Sequence, residues 1–71
     1  MADYDLPLAE LSRVAVRSDV PADEGYLPAG SFGTIVHVYK GGRAYEVEFE
    51  RPFHCVLTLD GGVIDRVSGI S

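Results

Sequence analysis

Phe32-Gly33-Thr34-Ile35-Val36-His37-Val38-Tyr39-Lys40-Gly41-Gly42-Arg43-Ala44-Tyr45-Glu46-Val47-Glu48-Phe49 reads as two strands joined by a glycine turn. Glycine accepts positive φ without strain, so Gly41-Gly42 between two alternating runs favours a two-residue primed hairpin turn. That turn sets a register: Tyr39 opposite Ala44, Val38 opposite Tyr45, His37 opposite Glu46, Val36 opposite Val47, Thr34 opposite Phe49. Successive side chains on a strand point to opposite faces. Val36, Val38, Tyr45, Val47 and Phe49 therefore share a buried face, and His37, Glu46 and Glu48 share the other. A one-residue slip would exchange the faces and bury Glu46, Glu48 and Glu50.

Outward from this hairpin, turn signals recur about every ten residues: Val20-Pro21, Gly25, Pro28-Ala29-Gly30, Arg51-Pro52 and Gly61-Gly62. Short strands at that spacing indicate a small sandwich or barrel. A first strand spans Leu11–Arg17, a second Phe32–Tyr39, a third Ala44–Glu50, a fourth Cys55–Leu59 and a last Val63–Val67. Leu6–Leu11 suggests a helical turn, too short to stand as an isolated helix. After Glu50, a three-residue loop Arg51-Pro52-Phe53 would pair Glu50 with His54, Phe49 with Cys55 and Val47 with Leu57. A two-residue loop would turn Cys55 and Leu57 outward, so the three-residue loop is preferred because it buries more apolar surface.

The 71 residues make one domain, and a chain this short buries only about 60% of the surface its unfolded form exposes. Cys55 is the one cysteine, so no intrachain disulfide is available, and two histidines with one cysteine do not make a zinc ribbon. No apolar run approaches the ~20 residues that span a bilayer. Acidic residues at Asp3 and Asp5 stand where a signal peptide would be basic, so a soluble, cytoplasmic protein is expected, and the lone thiol suits a reducing compartment. The formal net charge is −5, concentrated in residues 1–25, where six acids face Arg13 and Arg17. Nucleic-acid binders carry a basic stripe because phosphate neutralisation supplies much of their affinity; this chain has none.

Leu27-Pro28-Ala29-Gly30-Ser31-Phe32-Gly33-Thr34-Ile35-Val36-His37-Val38-Tyr39 resembles the turn-and-strand pattern of KOW-type and other SH3-like barrels. The whole chain is similar to a family of small bacterial domains of unknown function. The matching pieces are Val14-Ala15-Val16, Asp19-Val20-Pro21, Gly30 to Val36, Tyr45-Glu46-Val47-Glu48-Phe49 and Leu57-Thr58-Leu59. The resemblance implies a five-stranded antiparallel SH3-like barrel over about residues 11–67, preceded by a short acidic extension. It carries no shared chemistry to any residue. The chain departs from the pattern at Arg51-Pro52-Phe53-His54, where relatives have a polar, glycine-containing loop. Gly30 and Gly33 suit a tight turn and a close backbone crossing. A phosphate-cradling role for Gly30-x-x-Gly33 would need a following helix and usually a lysine, and a strand follows.

Glu46, Glu48 and Glu50 recur at alternate positions and line one face at ~7 Å spacing. With His37 across from Glu46 and His54 across from Glu50, the face offers His37, Glu46, His54 and Glu50 as a weak divalent-metal set. The two histidines fall near opposite ends of a face ~13 Å long, which argues against one shared ion. Cross-strand His–Glu pairs on a solvated face, each worth a few tenths of a kcal/mol, account for the same residues. His54 and Cys55 are strand neighbours pointing to opposite faces, so they form no dyad, and no serine lies in a nucleophile elbow. No enzyme activity and no cofactor are expected.

Apolar side chains at Ile35 and Tyr39 on the outer face, with Phe53 and Tyr26, offer a partner-binding surface. The leading expectation is a non-catalytic protein-interaction module, self-associating through apolar surface or an edge strand, or steered by its charge to a basic partner. An accessory subunit, antitoxin or immunity protein has this character. The alternatives are a KOW-like nucleic-acid binder, which the charge opposes, and the His/Glu metal site.

Overall fold

A computed structural model describes residues 11–67, so the acidic extension and most of the expected helical turn at Leu6–Leu11 lie outside the described residues. The all-β expectation holds. In chain order the strands are β1 (Arg13–Val16), β2 (Val20–Ala22), β3 (Gly25–Leu27), β4 (Phe32–Tyr39), β5 (Ala44–Phe49), β6 (Cys55–Asp60) and β7 (Ile64–Arg66). Five form an antiparallel sheet in the order β6-β5-β4-β1-β7, and β2 and β3 form a separate two-stranded ribbon. A 3₁₀ turn at Gly61–Val63 joins β6 to β7, capped by the Asp60 carboxylate, which accepts from the Gly62 amide at 3.1 Å.

The β4–β5 hairpin keeps the expected pairs Tyr39–Ala44, Val38–Tyr45 and His37–Glu46. Its turn is centred one residue earlier than Gly41-Gly42: Lys40 and Gly41 have φ of 51° and 68°, and the Gly42 amide donates to the Tyr39 carbonyl at 3.0 Å. A second correction falls at Val36. The register shifts between Ile35 and His37, so the pairs become Ile35–Val47, Thr34–Glu48 and Gly33–Phe49. Strict alternation cannot turn both Ile35 and Val38, three residues apart, toward the core. A bulge absorbs one residue, buries Ile35 completely and leaves Val36 39% exposed.

The core is Val14 and Val16 of β1, Leu27 of β3, Ile35 of β4, Tyr45, Val47 and Phe49 of β5, Leu59 of β6 and Ile64 of β7. Every second residue of β5 is buried, which is the alternation of a strand with one face on a core. Leu27, fully buried, docks the β2–β3 ribbon onto it. After Glu50 the preferred register is found, with Phe49–Cys55, Val47–Leu57 and Tyr45–Leu59 paired, but the ladder stops at Phe49–Cys55 and the expected Glu50–His54 pair does not form, so the connection runs over residues 50–54.

The sheets do not close into the expected five-stranded barrel. β6 pairs with β5 alone among the described strands, and β7 with β1 alone, so both are edges. The ribbon nearest β6 is a poor closing partner: Pro21 has no N–H to give a ladder, and Asp23 and Glu24 bring charge to its tip.

Candidate functional site

β5 sets out the polar face. Arg13, Thr34, Glu48 and Val56 are successive partners across β1, β4, β5 and β6, and His37, Glu46 and Thr58 form the next row. In that second row the Tyr39 hydroxyl donates to Glu46 Oε1 at 2.8 Å, and the Tyr39 and His37 rings meet edge-on at 4.4 Å. This bond to a carboxylate holds the Tyr39 phenol above its ordinary value. Tyr39 follows His37 by two residues, so the same alternation that placed His37 beside Glu46 could have shown this contact.

His54 reaches diagonally past Glu50, its Nε2 lying 2.7 Å from Glu48 Oε2. Ligand atoms of Glu48, Glu50 and His54 lie within 4.8 Å of one another. The expected set of His37, Glu46, His54 and Glu50 thus divides: His54 and Glu50 stay together and gain Glu48, while His37 and Glu46 belong with Tyr39. The bond to Glu48 raises the His54 pKa above 6.5, with the charges of Glu48, Glu50 and Glu24 acting the same way against partial desolvation. A raised folded-state pKa means this pairing stabilises the fold below pH 6.5 and is lost as pH rises through the folded value. An NMR titration of the His54 ring is expected to show a midpoint above 6.5 that falls in Glu48→Gln; an unchanged midpoint would exclude the bond as its cause.

Of the expected partner-binding side chains, Tyr26 is 66% exposed, while Tyr39 and Phe53 are half-buried, Phe53 against the core. Ile35 was expected outside and is wholly inside, because of the bulge. Phe32, another aromatic that the sequence leaves free to face solvent, is exposed, and so are Leu11, Val36 and Val56, which that reading does not name. Val56 was legible, since placing Cys55, Leu57 and Leu59 inward turns it out. Cys55 is half-buried, and burial pushes its thiol above its ordinary value, away from the thiolate a nucleophile needs.

The two sheet edges differ. β7 has three residues, and its Asp65 is bonded to Arg17 at 2.8 Å, so it is short and charged, as blunted edges are. β6 has six residues, with neither lysine nor proline. The Gly61 amide donates to the Arg43 carbonyl opposite it at 3.2 Å, in step with the β5–β6 register. Bonded pairs alternate along an antiparallel ladder, so Leu59, Leu57 and Cys55 bond to β5, and Val56 and Thr58 aim their N–H and C=O groups away from it, at the side where no described strand pairs. Beside it lies a groove of about 470 Å³, between Pro21–Glu24 of the ribbon and Cys55–Leu57.

Residues 10–51, more than half of the chain, match the family described as Domain of unknown function (DUF4926). The chain belongs to this family. The DUF4926 match covers β1 to β5 and ends at Arg51, so the β6 edge lies beyond it. No curated protein and no solved structure matches the chain. In this DUF4926 domain the six basic residues form no single stripe: Arg17 is engaged by Asp65, Lys40 and Arg43 flank the β4–β5 turn, Arg66 is on β7, and Arg13 and Arg51 border one groove on another part of the surface. No helix among the described residues is long and apolar enough to cross a membrane.

Proposed function

We propose that this domain is a non-catalytic protein-interaction module that takes an extended, basic segment of a partner onto β6. The edge of β6, unpaired among the described residues and opening into a groove, carries this reading. An added strand would bond to the outward N–H and C=O groups of Val56 and Thr58 and set alternate side chains against Val56 on one face and the Pro21–Glu24 wall on the other. The charge of the partner follows from the border. Asp23 and Glu24 line the groove, Glu24 acts electrostatically on both His54 and Cys55, and the chain as a whole is at −5. Such a surface speeds encounter with a cation-bearing segment and opposes a second copy of itself.

Proline at an edge position whose N–H faces outward keeps the sheet but blocks its extension. Capture from nuclease-treated lysate with the parent and Val56→Pro side by side is therefore the test. The expected result is a basic protein retained by the parent, lost in Val56→Pro, and weakened in Glu24→Gln and at high salt. Equal retention by the parent and Val56→Pro would refute docking at β6.

A second reading has one observation in its favour, the convergence of Glu48, Glu50 and His54. One imidazole and two carboxylates suit a borderline divalent ion such as zinc or nickel. Zinc or nickel should then raise the melting temperature of the parent but not of His54→Ala; no shift in the parent ends this reading.

A further inference from the structure

A second groove, of about 610 Å³, shares no lining residue with the one beside β6. Pro28, Phe32 and Pro52 give it three rings, Phe32 being 57% exposed, and Arg13 and Arg51 border it. Neither guanidinium has a hydrogen bond or ion pair among the described residues, unlike Arg17, which Asp65 engages. Glu50 also borders the groove, but its carboxylate lies within 4.8 Å of the His54 ring and of Glu48. That imidazole is bonded to Glu48, so the border of the groove carries the two guanidiniums against the one carboxylate of Glu50.

The Pro28 wall is held in place before any ligand arrives. The Ser31 amide and hydroxyl both donate to the Pro28 carbonyl, at 3.0 and 2.7 Å, the Ala29 amide to Asp19 Oδ1 at 2.8 Å, and the Gly30 amide to the Val16 carbonyl at 2.8 Å. A wall fixed this way loses little conformational freedom on binding.

From these observations we infer that the groove binds a small apolar carboxylate, a molecule carrying its carboxylate next to a ring. Rings alone would accept any hydrophobe, and guanidiniums alone any anion; their combination selects a ligand with both. A chain at −5 repels anions in general, so two uncommitted guanidiniums at one groove are a local reversal of its charge. Like charges bordering one groove also repel each other until an anion is placed between them. The volume falls within the range of sites that take such molecules.

The test is an amide NMR titration with 3-phenylpropionate, using 3-phenylpropanamide as the same body without charge and acetate as the charge without a body. The expected result is saturable shifts at Gly30, Phe32, Gly33 and Thr34, with both control compounds binding more weakly. Arg13→Gln and Arg51→Gln should each weaken the acid by roughly two- to five-fold, as exposed ion pairs do, and leave the affinity for the amide unchanged. Both side chains are exposed, so the remaining resonances should stay in place and report an intact fold. Equal binding of acid and amide overturns the inference, as do shifts confined to Cys55–Leu57, or no shifts at tens of millimolar probe. The β6 reading stands or falls separately, since neither arginine lines that groove.

Discussion

Phe49→Ala is expected to leave the protein largely unfolded at 25 °C. Phe49 is the largest of the fully buried side chains, it stands on the strand between Gly33 of β4 and Cys55 of β6, and its ring lies close over Gly33. Removing a buried phenylalanine costs about 3–5 kcal/mol, the lost transfer energy plus the cavity left behind. A domain of this size has about 4–10 kcal/mol in all, and one with no disulfide belongs near the lower end. Phe49→Leu, which keeps most of the volume, should fold and lose about 1 kcal/mol. Urea unfolding followed by circular dichroism reads both. A cooperative transition for Phe49→Ala within 1 kcal/mol of the parent would mean that the core is not where the structure puts it.

Gly33→Ala carries the second large effect, through crowding instead of a cavity. A Cβ on Gly33 would lie 2.5 Å from Val47 Cγ1, 2.9 Å from Phe49 Cε2 and 3.0 Å from the Glu48 carbonyl oxygen. Val47 and Phe49 are fully buried, and one of the three atoms is backbone, so no neighbour can swing aside. Overpacking of this kind costs about 1–3 kcal/mol, and two contacts below 3 Å place this case in the upper part of that range. The mechanism has its own check. Val47→Ala removes the nearest methyl, so the double variant Gly33→Ala/Val47→Ala should lose less stability than the two single variants added together. Strict additivity would show that the glycine is required for some reason other than these contacts.

Gly33 also shows how far the sequence could be read. A glycine ahead of Thr34-Ile35-Val36 signalled a close approach but not its partner, because the period-2 reading placed Thr34 opposite Phe49. The hairpin near its turn was legible, since burying Glu46, Glu48 and Glu50 is prohibitive and only one register avoids it. The bulge at Val36 was not, because it depends on where Ile35 and Val38 find room, and that is decided by the assembled core. The ribbon was hidden by its size: Val20–Ala22 and Gly25–Leu27 have three residues each, one a proline, which reads as a turn. Barrel closure failed because it depends on a ladder between distant segments, and Pro21, Asp23 and Glu24 make a weak lip for one. The polar face was half legible. Residues directly opposite follow from register, but the diagonal His54–Glu48 contact depends on rotamers that no pattern encodes.

The failure of closure is also what gives the domain its proposed binding surface, and the backbone amides of β6 report on it directly. Hydrogen exchange by NMR, on the free protein and on its complex with the captured partner, separates the two sides of that strand. Leu57 and Leu59 should be protected in both states. Val56 and Thr58 should exchange fast in the free protein and become protected in the complex, because a partner strand takes up their N–H groups. If Val56 and Thr58 stay unprotected while amides elsewhere slow down, the partner docks on another surface and the β6 reading is wrong.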